Sequence, residues 1–316
     1  MKLKTLLIVS ITILLPTYTF AQAGSFLSIP LDSKSISMGN TYAASANKNA
    51  IFTNLAANSL DSSKIDISLS YRPWMSESSD NYTIGSFSAA YAINSKHHIS
   101  IGARKYNYPS YLVTDDNGNS DGEYSPKESS IGIGYAYRLS KKTAISATIN
   151  YISSDLANAY DGNTFSIDLG FKSSFKNLNY GLMLRNLGSE LDFGDYSVEL
   201  PTSLTAGISY SKLLSANHKF TASTDASYIS TADDESGFAN GLGMEYQYKE
   251  KVALRTGYYH VDEAIGLDYF SLGCGTKLGG FSFDFAWLLS NNALKNDYSL
   301  SCSWNLYKRK RTKINQ

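Results

Sequence analysis

The sequence predicts an all-β protein, a transmembrane antiparallel outer-membrane β-barrel of about 14 strands. Three observations carry the prediction. From residue 64 onward, apolar and polar residues alternate with a period of two in segment after segment. Once past a short leader, no stretch approaches the ~18–20 apolar residues that a transmembrane helix requires. The composition joins 24 Tyr, 14 Phe and 3 Trp to a charged fraction of only 18%, which suits a wall with lipid on one side and water on the other. A chain that crosses a bilayer without apolar helices must close into a barrel, since no other form satisfies its backbone groups in lipid.

Residues 1–21 are expected to be a signal peptide. Lys2 and Lys4 precede the apolar run LLIVSITILL, and small residues allow cleavage after Ala21 or after Ala23. The next notable stretch, MGNTYAASANKNAIFTNLAANSL from Met38 to Leu60, is different in kind. It has no alternation and almost no charge, and it is rich in Ala, Asn, Ser and Thr.

The barrel proper is expected over residues 64–307. KIDISLSY sets Ile65, Ile67, Leu69 and Tyr71 against Lys64, Asp66, Ser68 and Ser70. TAISATINY, TFSIDLGF and GFSFDFAW repeat the pattern, the last with Phe281, Phe283, Phe285 and Trp287 opposite Ser282, Asp284 and Ala286. Strand centres fall near 68, 87, 101, 133, 148, 167, 183, 205, 223, 243, 255, 271, 284 and 302. Most segments run for about 9–12 residues, the length of a tilted membrane-crossing strand, and the even count suits a bacterial single-chain barrel. A soluble β-sandwich or lipocalin-like barrel would alternate too, but with more surface charge; here the polar set is Ser, Thr, Asn, Gly and Asp, able to line a wet interior.

Connections alternate in length. INSKHH, RLSKK, KNL and YKEK are short turns rich in Lys, while RPWMSESSDN, the Tyr106–Lys127 stretch, SDLANAYDGN, NLGSELDFGDYSVELP, STADDESG and YHVDEAIGLD are longer and carry most of the Asp and Glu. The final strand, NDYSLSCSWNLY, precedes a basic tail at 308–316 expected to stay in the periplasm. With Tyr298, Leu300, Cys302, Trp304 and Leu306 on one face, the strand resembles the aromatic-rich closing strand of outer-membrane barrels.

Signs of catalytic chemistry are few. The 28 basic and 28 acidic residues balance, so no bulk charge recruits nucleic acid. There is no GxSxG, HExxH or Gly-rich phosphate loop, and no cofactor or metal is expected. His260 with Asp262 and Glu263 is the best local catalytic grouping, yet consecutive loop residues do not define a site. Asp115, Asp116 and Asn117, and likewise Asp233, Asp234 and Glu235, lack the spacing of a calcium loop and fit exposed turns better. Cys274 and Cys302 sit in strands without metal-site spacing; a single bridge between them is left open.

Several phrases, in order, resemble one family. FLSIPLDSKSISMGN (Phe26 to Asn40), YRPWM (Tyr71 to Met75), DDNGNSDGEYSPKESSIGIGYAYRLSKK, NYISSDL, GLMLRNLGSEL, ELPTSLTAGISY, ALRTGYYH and YFSLGCGTKLGGFSFDFAWLL resemble the PorV/PorQ-type outer-membrane proteins of the type IX secretion system. Those are barrels similar to the fatty-acid transporter FadL. At the family's hatch motif this chain has Thr53 and Leu55 where Trp and Pro are usual, and it keeps Asn54 and Ala56.

The resemblance implies that residues 24–63 form a hatch inside the lumen, with Gly39 as its entry turn and Ile51, Phe52, Asn54 and Leu55 as anchors. It also implies a non-enzymatic carrier. Such a carrier takes secreted cargo by its C-terminal signal domain from the translocon to the surface attachment complex, and outer-membrane lipid surrounds it. The longest loop offers the candidate cargo contacts Tyr106, Tyr108, Tyr111, Leu112 and Val113, exposed aromatics being common anchors of protein contacts; a cap folding over the barrel mouth is the alternative for that loop. The alternative function is a FadL-like channel for hydrophobic small molecules, which needs an apolar lumen pocket and a lateral opening.

Overall fold

The computed structural model describes residues 23–61, 63–76, 82–115, 117–157, 160–231 and 235–308. The expected leader (1–21) and the tail beyond residue 308 lie outside the described residues, as do Asp116, Asp233 and Asp234.

Fourteen strands make the wall. They are β1 (Ser63–Pro73), β2 (Thr83–Ala92), β3 (His97–Asn107), β4 (Lys127–Arg138), β5 (Thr143–Ala157), β6 (Tyr160–Phe175) and β7 (Leu178–Gly188). The second half holds β8 (Thr202–Ser215), β9 (His218–Ser230), β10 (Ser236–Tyr248), β11 (Val252–Val261), β12 (Tyr269–Leu278), β13 (Phe281–Leu289) and β14 (Tyr298–Lys308). Each pairs antiparallel with its sequence neighbour, and β1 pairs with β14 from Ser63↔Lys308 to Tyr71↔Leu300. That last ladder closes the sheet and removes both edges, as a lipid-embedded sheet requires. Every strand centre expected from the sequence lies inside one of these strands.

The alternation resolves into outside and inside. Leu69, Tyr71, Ile131, Ile133, Phe165, Leu254, Phe283 and Leu300 are exposed on the outer wall, where they meet lipid. Their strand neighbours Ser68, Ser70, Arg72, Ser130, Ser166, Arg255, Asp284 and Ser301 point into the lumen. The outer wall of this protein is therefore its apolar side, the inverse of a soluble barrel. Cys274 and Cys302 are free thiols on that wall. Cys274 stands opposite Phe285 and Cys302 opposite Phe283, so β13 lies between them. Two strand spacings separate them by roughly 9–10 Å, too far for a bridge.

One end of the barrel carries tight connections, at 93–96, 139–142, 176–177, 216–217, 249–251 and 279–280, and by barrel convention it faces the periplasm. Aromatics band the wall there. His97 bonds Tyr135 Oη at 2.6 Å and packs on Tyr137, His218 packs likewise on Tyr246 and Tyr248, and Trp304 stacks on Phe281 with ring centroids 5.4 Å apart. The opposite, external end carries longer loops with two small ribbons, Tyr111–Thr114 paired with Ser120–Tyr124 and Leu191–Asp192 paired with Ser197–Val198. One expected loop is absent as such. SDLANAYDGN is taken up by β5 and β6, which stay paired to Ala157↔Tyr160 and project as a hairpin. The small polar residues there break the apolar alternation, but outside the membrane a ladder does not need it.

Candidate functional site

The lumen holds residues 23–61. This segment contains only short helices, α1 (Ser33–Ile36) and α2 (Leu55–Ser59), and two 3-10 turns, Ser25–Ser28 and Ala50–Phe52. Helices of one turn are marginal alone, so caps and wall contacts must hold them. Asp32 caps α1 by accepting from Ser35 N at 2.9 Å, and Asn54 caps α2 by accepting from Ala57 N. The wall satisfies the backbone between them. The Asp225 carboxylate accepts from Tyr42 N (2.7 Å) and Ala43 N (2.8 Å), Lys172 donates to Ala44 O, and Arg138 donates to Asp61 O (2.6 Å). Ser33 Oγ lies 2.8 Å from both Ser299 Oγ and Ser301 Oγ, while Asn49 Nδ2 donates to Ser70 Oγ and Ser86 Oγ.

All five anchors expected from the resemblance sit against the wall. Gly39 has φ of 62° and its backbone lies so close to β10 and β11 that a Cβ would overlap the carbonyls of Leu242 and Tyr258. Ile51 and Phe52 pack over Gly102 of β3, and Leu55 packs over Gly134 and Ala136 of β4. Asn54 Nδ2 donates to Phe171 O at 3.0 Å and to Ala43 O at 2.7 Å. Facing glycines make this approach feasible. A side chain on Gly181 would overlap the Ala43 backbone, and one on Gly257 would overlap Gly39. Glycine at inward strand positions is thus a signal of internal packing that alternation alone does not reveal.

At the external end an apolar cluster fills the mouth. Phe26, Leu27 and Leu31 of the segment join Ile51, Phe52, Ile84, Tyr106, Ile152, Leu191, Phe193 and Leu200. The five candidate loop contacts divide here. Tyr106 is buried in this cluster and stacks on Tyr82, with Tyr108 edge-on to it at 4.6 Å. Tyr108 Oη donates to Glu128 Oε2 at 2.6 Å, and Glu128, fully buried, also accepts from Gly24 N (2.7 Å) and Ser154 Oγ (3.0 Å). Burial, with the Glu128 carboxylate beside it, pushes the Tyr108 phenol far above its usual range, so it stays a donor. Tyr111, Leu112 and Val113 instead ride on the outer ribbon, Leu112 71% exposed. The ribbon leans on the β5–β6 hairpin through Tyr124 and Asp155, a contact that pushes the Tyr124 phenol up to about 12.

The other grouped residues have structural partners. Asp115 organises its own turn, accepting from Asn117 N and from Asn119 N and Nδ2, and these donors hold its carboxyl below the usual range. His260 Nδ1 lies 2.8 Å from Asp268, while Asp262 accepts from Phe238 N, so the two do not form one site. No group of three or more His, Cys, Asp or Glu among the described residues is arranged to hold a metal. Toward the periplasm, a cavity of about 230 Å³ lies between the segment and β10–β14, lined by Lys34, Lys48, Glu245, Arg255 and Asp284. Arg255 bridges Glu245 and Asp284, each at 2.7 Å. This end of the lumen is polar and charged.

The described wall has solved counterparts. The toluene transporter TodX of Pseudomonas putida superposes with a TM-score of 0.64 at 12% identity, covering 87% of this chain and 98% of that one. A TodX deltaS2S3 mutant gives 0.61 at 13% identity over 87% and 99%. A Pseudomonas aeruginosa FadL homologue gives 0.52 at 9% identity over 88% and 99%. At these identities the likeness is one of fold. No curated protein matches the sequence. The family model described as "Type IX secretion system protein PorV" matches residues 17–233.

Proposed function

The chain belongs to this PorV family, an outer-membrane component of type IX secretion, and from that premise we propose that it is a cargo carrier. In this reading it receives secreted proteins by their C-terminal signal domain as they leave the translocon and passes them to the surface attachment complex. The role is non-enzymatic: the external loops supply the contacts and no bond is made or broken.

The observation that carries the reading beyond the family is the filled mouth. A channel for hydrophobic small molecules, the alternative, needs a vacant apolar pocket in the lumen. Here Phe26 and Leu27 of the chain itself occupy the apolar cluster beneath the loops, and polar and charged groups line the cavity below it. A closed barrel with an exposed, aromatic-edged ribbon is better suited to present a surface than to pass a solute. Residues 24–61 serve as the hatch in this account and residues 309–316 as a periplasmic tail, since Ser63 and Lys308 pair within the wall.

Of the five loop candidates, Tyr111, Leu112 and Val113 are assigned to cargo contact. Tyr106 and Tyr108 are assigned to holding the mouth closed. A photo-crosslinking residue placed at Leu112 tests this in cells: it should capture proteins that share a C-terminal β-sandwich signal. Capture from position 106 but not from 112, or of no such protein from either, would remove the assignment.

A further inference from the structure

Three arginines of the inner wall converge on the backbone of residues 26–30. Arg104 (β3) donates to Leu27 O at 3.1 Å, Arg185 (β7) donates to the same oxygen at 2.7 Å, and Arg72 (β1) donates to Pro30 O at 3.3 Å. Arg72 is 1% exposed and Arg104 5%. Their flat faces lie on aromatic rings, Arg72 over Trp74 at 4.4 Å, Arg104 over Phe26 and Phe52, and Arg185 over Tyr42.

What they lack is a carboxylate. The ion pairs found among the described residues involve other cations. The buried acids Glu128 and Asp168 are held by other donors, Glu128 as above and Asp168 by Asn150 Nδ2 and Asn186 N. Arg72 Nε and Nη2 and Arg104 Nε have no hydrogen-bond partner at all. Arg255 on the same wall, with two carboxylates, shows how a buried guanidinium is ordinarily satisfied. Arg104, buried and with Nε unpartnered, shares this neutral carbonyl with the half-buried Arg185, which also reaches Tyr42 Oη at 3.5 Å, a costly arrangement for the buried guanidinium. A carboxylate in that place would accept from both guanidiniums through charge-assisted bonds, which are about twice as strong as neutral ones.

We propose that the seat of residues 26–30 is a carboxylate-binding site, in which the Leu27 carbonyl stands in for the ligand's carboxylate between Arg104 and Arg185. Arg72 lies at its rim. The ligand is a carboxylate on an apolar body, because Phe52, Ile84, Tyr106 and Ile152 line the space that Phe26 and Leu27 fill. An incoming carboxylate would have to displace this short piece of backbone, which Glu128 holds at Gly24 N. Residues 25–28 form a single 3-10 turn whose N-cap, Gly24, has no side-chain cap and a φ of 79°. A free amphiphilic acid and the C-terminal carboxylate of a peptide share this chemistry.

The test uses the whole purified protein in an uncharged detergent, with two matched probe pairs: decanoate against decanamide, and a Phe-ending hexapeptide as free acid against its C-terminal amide. The acid of at least one pair should bind at least tenfold more tightly than its amide and should raise deuterium exchange at residues 24–31. The double variant Arg104→Gln, Arg185→Gln should reduce that acid to the affinity of its amide. Discrimination by decanoate alone assigns the free acid as ligand, and by the peptide alone the chain terminus. Equal binding of acid and amide in both pairs overturns the site, as does discrimination that survives in the double variant. If that variant fails to assemble, acid binding to the unaltered protein without added exchange at 24–31 overturns it equally. Cargo capture at Leu112 is read separately and does not depend on either result.

Discussion

Asp225→Ala is the sharpest test of how the lumen segment is held. The Asp225 carboxylate, 4% exposed on β9, is the acceptor for two consecutive amides, Tyr42 N at 2.7 Å and Ala43 N at 2.8 Å. Removing it leaves two buried donors unsatisfied, each costing about 1–3 kcal/mol. Some relaxation and water entry will offset part of this, so about 2–4 kcal/mol is expected for local release of residues 38–46. At 1.4 kcal/mol per tenfold, that is a ~30- to ~700-fold rise in the open population. Hydrogen exchange of the amides from 38 to 46 reads this directly in detergent, with strand amides of β9 and β10 as internal reference. Asp225→Asn, which keeps one acceptor oxygen, should fall between the two. An Asp225→Ala barrel that assembles and shows unchanged exchange over 38–46 would refute the reasoning.

Gly181→Val should expel the segment more drastically, because the new side chain overlaps the Ala43 backbone. The barrel should still assemble, with raised antibiotic or dye permeability; unchanged permeability would contradict the hatch. Asp32 offers a sign test. Burial, and then Asp284, raise its carboxyl pKa above the unfolded value, against the opposing bonds from Ser35. Its favourable contribution is therefore full below the unfolded pKa and lost as pH rises through the folded one. Asp32→Asn keeps the cap while removing the charge, so it should raise the melting temperature at pH 7, whereas Asp32→Ala should lower it by losing a cap worth about 1 kcal/mol. Cys274 and Cys302 should both react with a membrane-permeant maleimide without prior reduction, two adducts per chain by mass; protection lifted by reductant would show a bridge.

The wall was legible because lipid on one side and a wet lumen on the other impose a period of two on every strand. Even the projecting hairpin of β5 and β6 departs only toward its external end, where Ser154 pairs with Gly162 and Asp155 with Asp161. The orientation of Tyr106 was equally available, since it shares parity with Gly102 and Arg104, the inward set of β3, rather than with the outward Ile99 and Ile101. Tyr108 lies beyond the strand, where parity says nothing, and its burial depends on Glu128 and Gly24.

The segment inside the lumen is harder to read for a physical reason. It has no period, and its partners are remote in sequence: Gly24 meets a carboxylate 104 residues away and Tyr42 one 183 away. Inward glycines such as Gly243 and Gly257 mark where that segment lies against the wall, because a Ser there would have sufficed for a water-filled lumen. The unpaired arginines could not be found from sequence at all. Each lies in a strand with polar neighbours, and only their convergence on Leu27 and Pro30 sets them apart.

The carrier account is tested most directly by affinity purification of the tagged protein from outer membranes, scored by mass spectrometry. It predicts recovery of secreted proteins sharing a C-terminal β-sandwich signal, together with translocon or attachment-complex subunits, and their loss from the cell surface when the gene is deleted. Recovery of no such cargo, with secretion intact in the deletion strain, would contradict it.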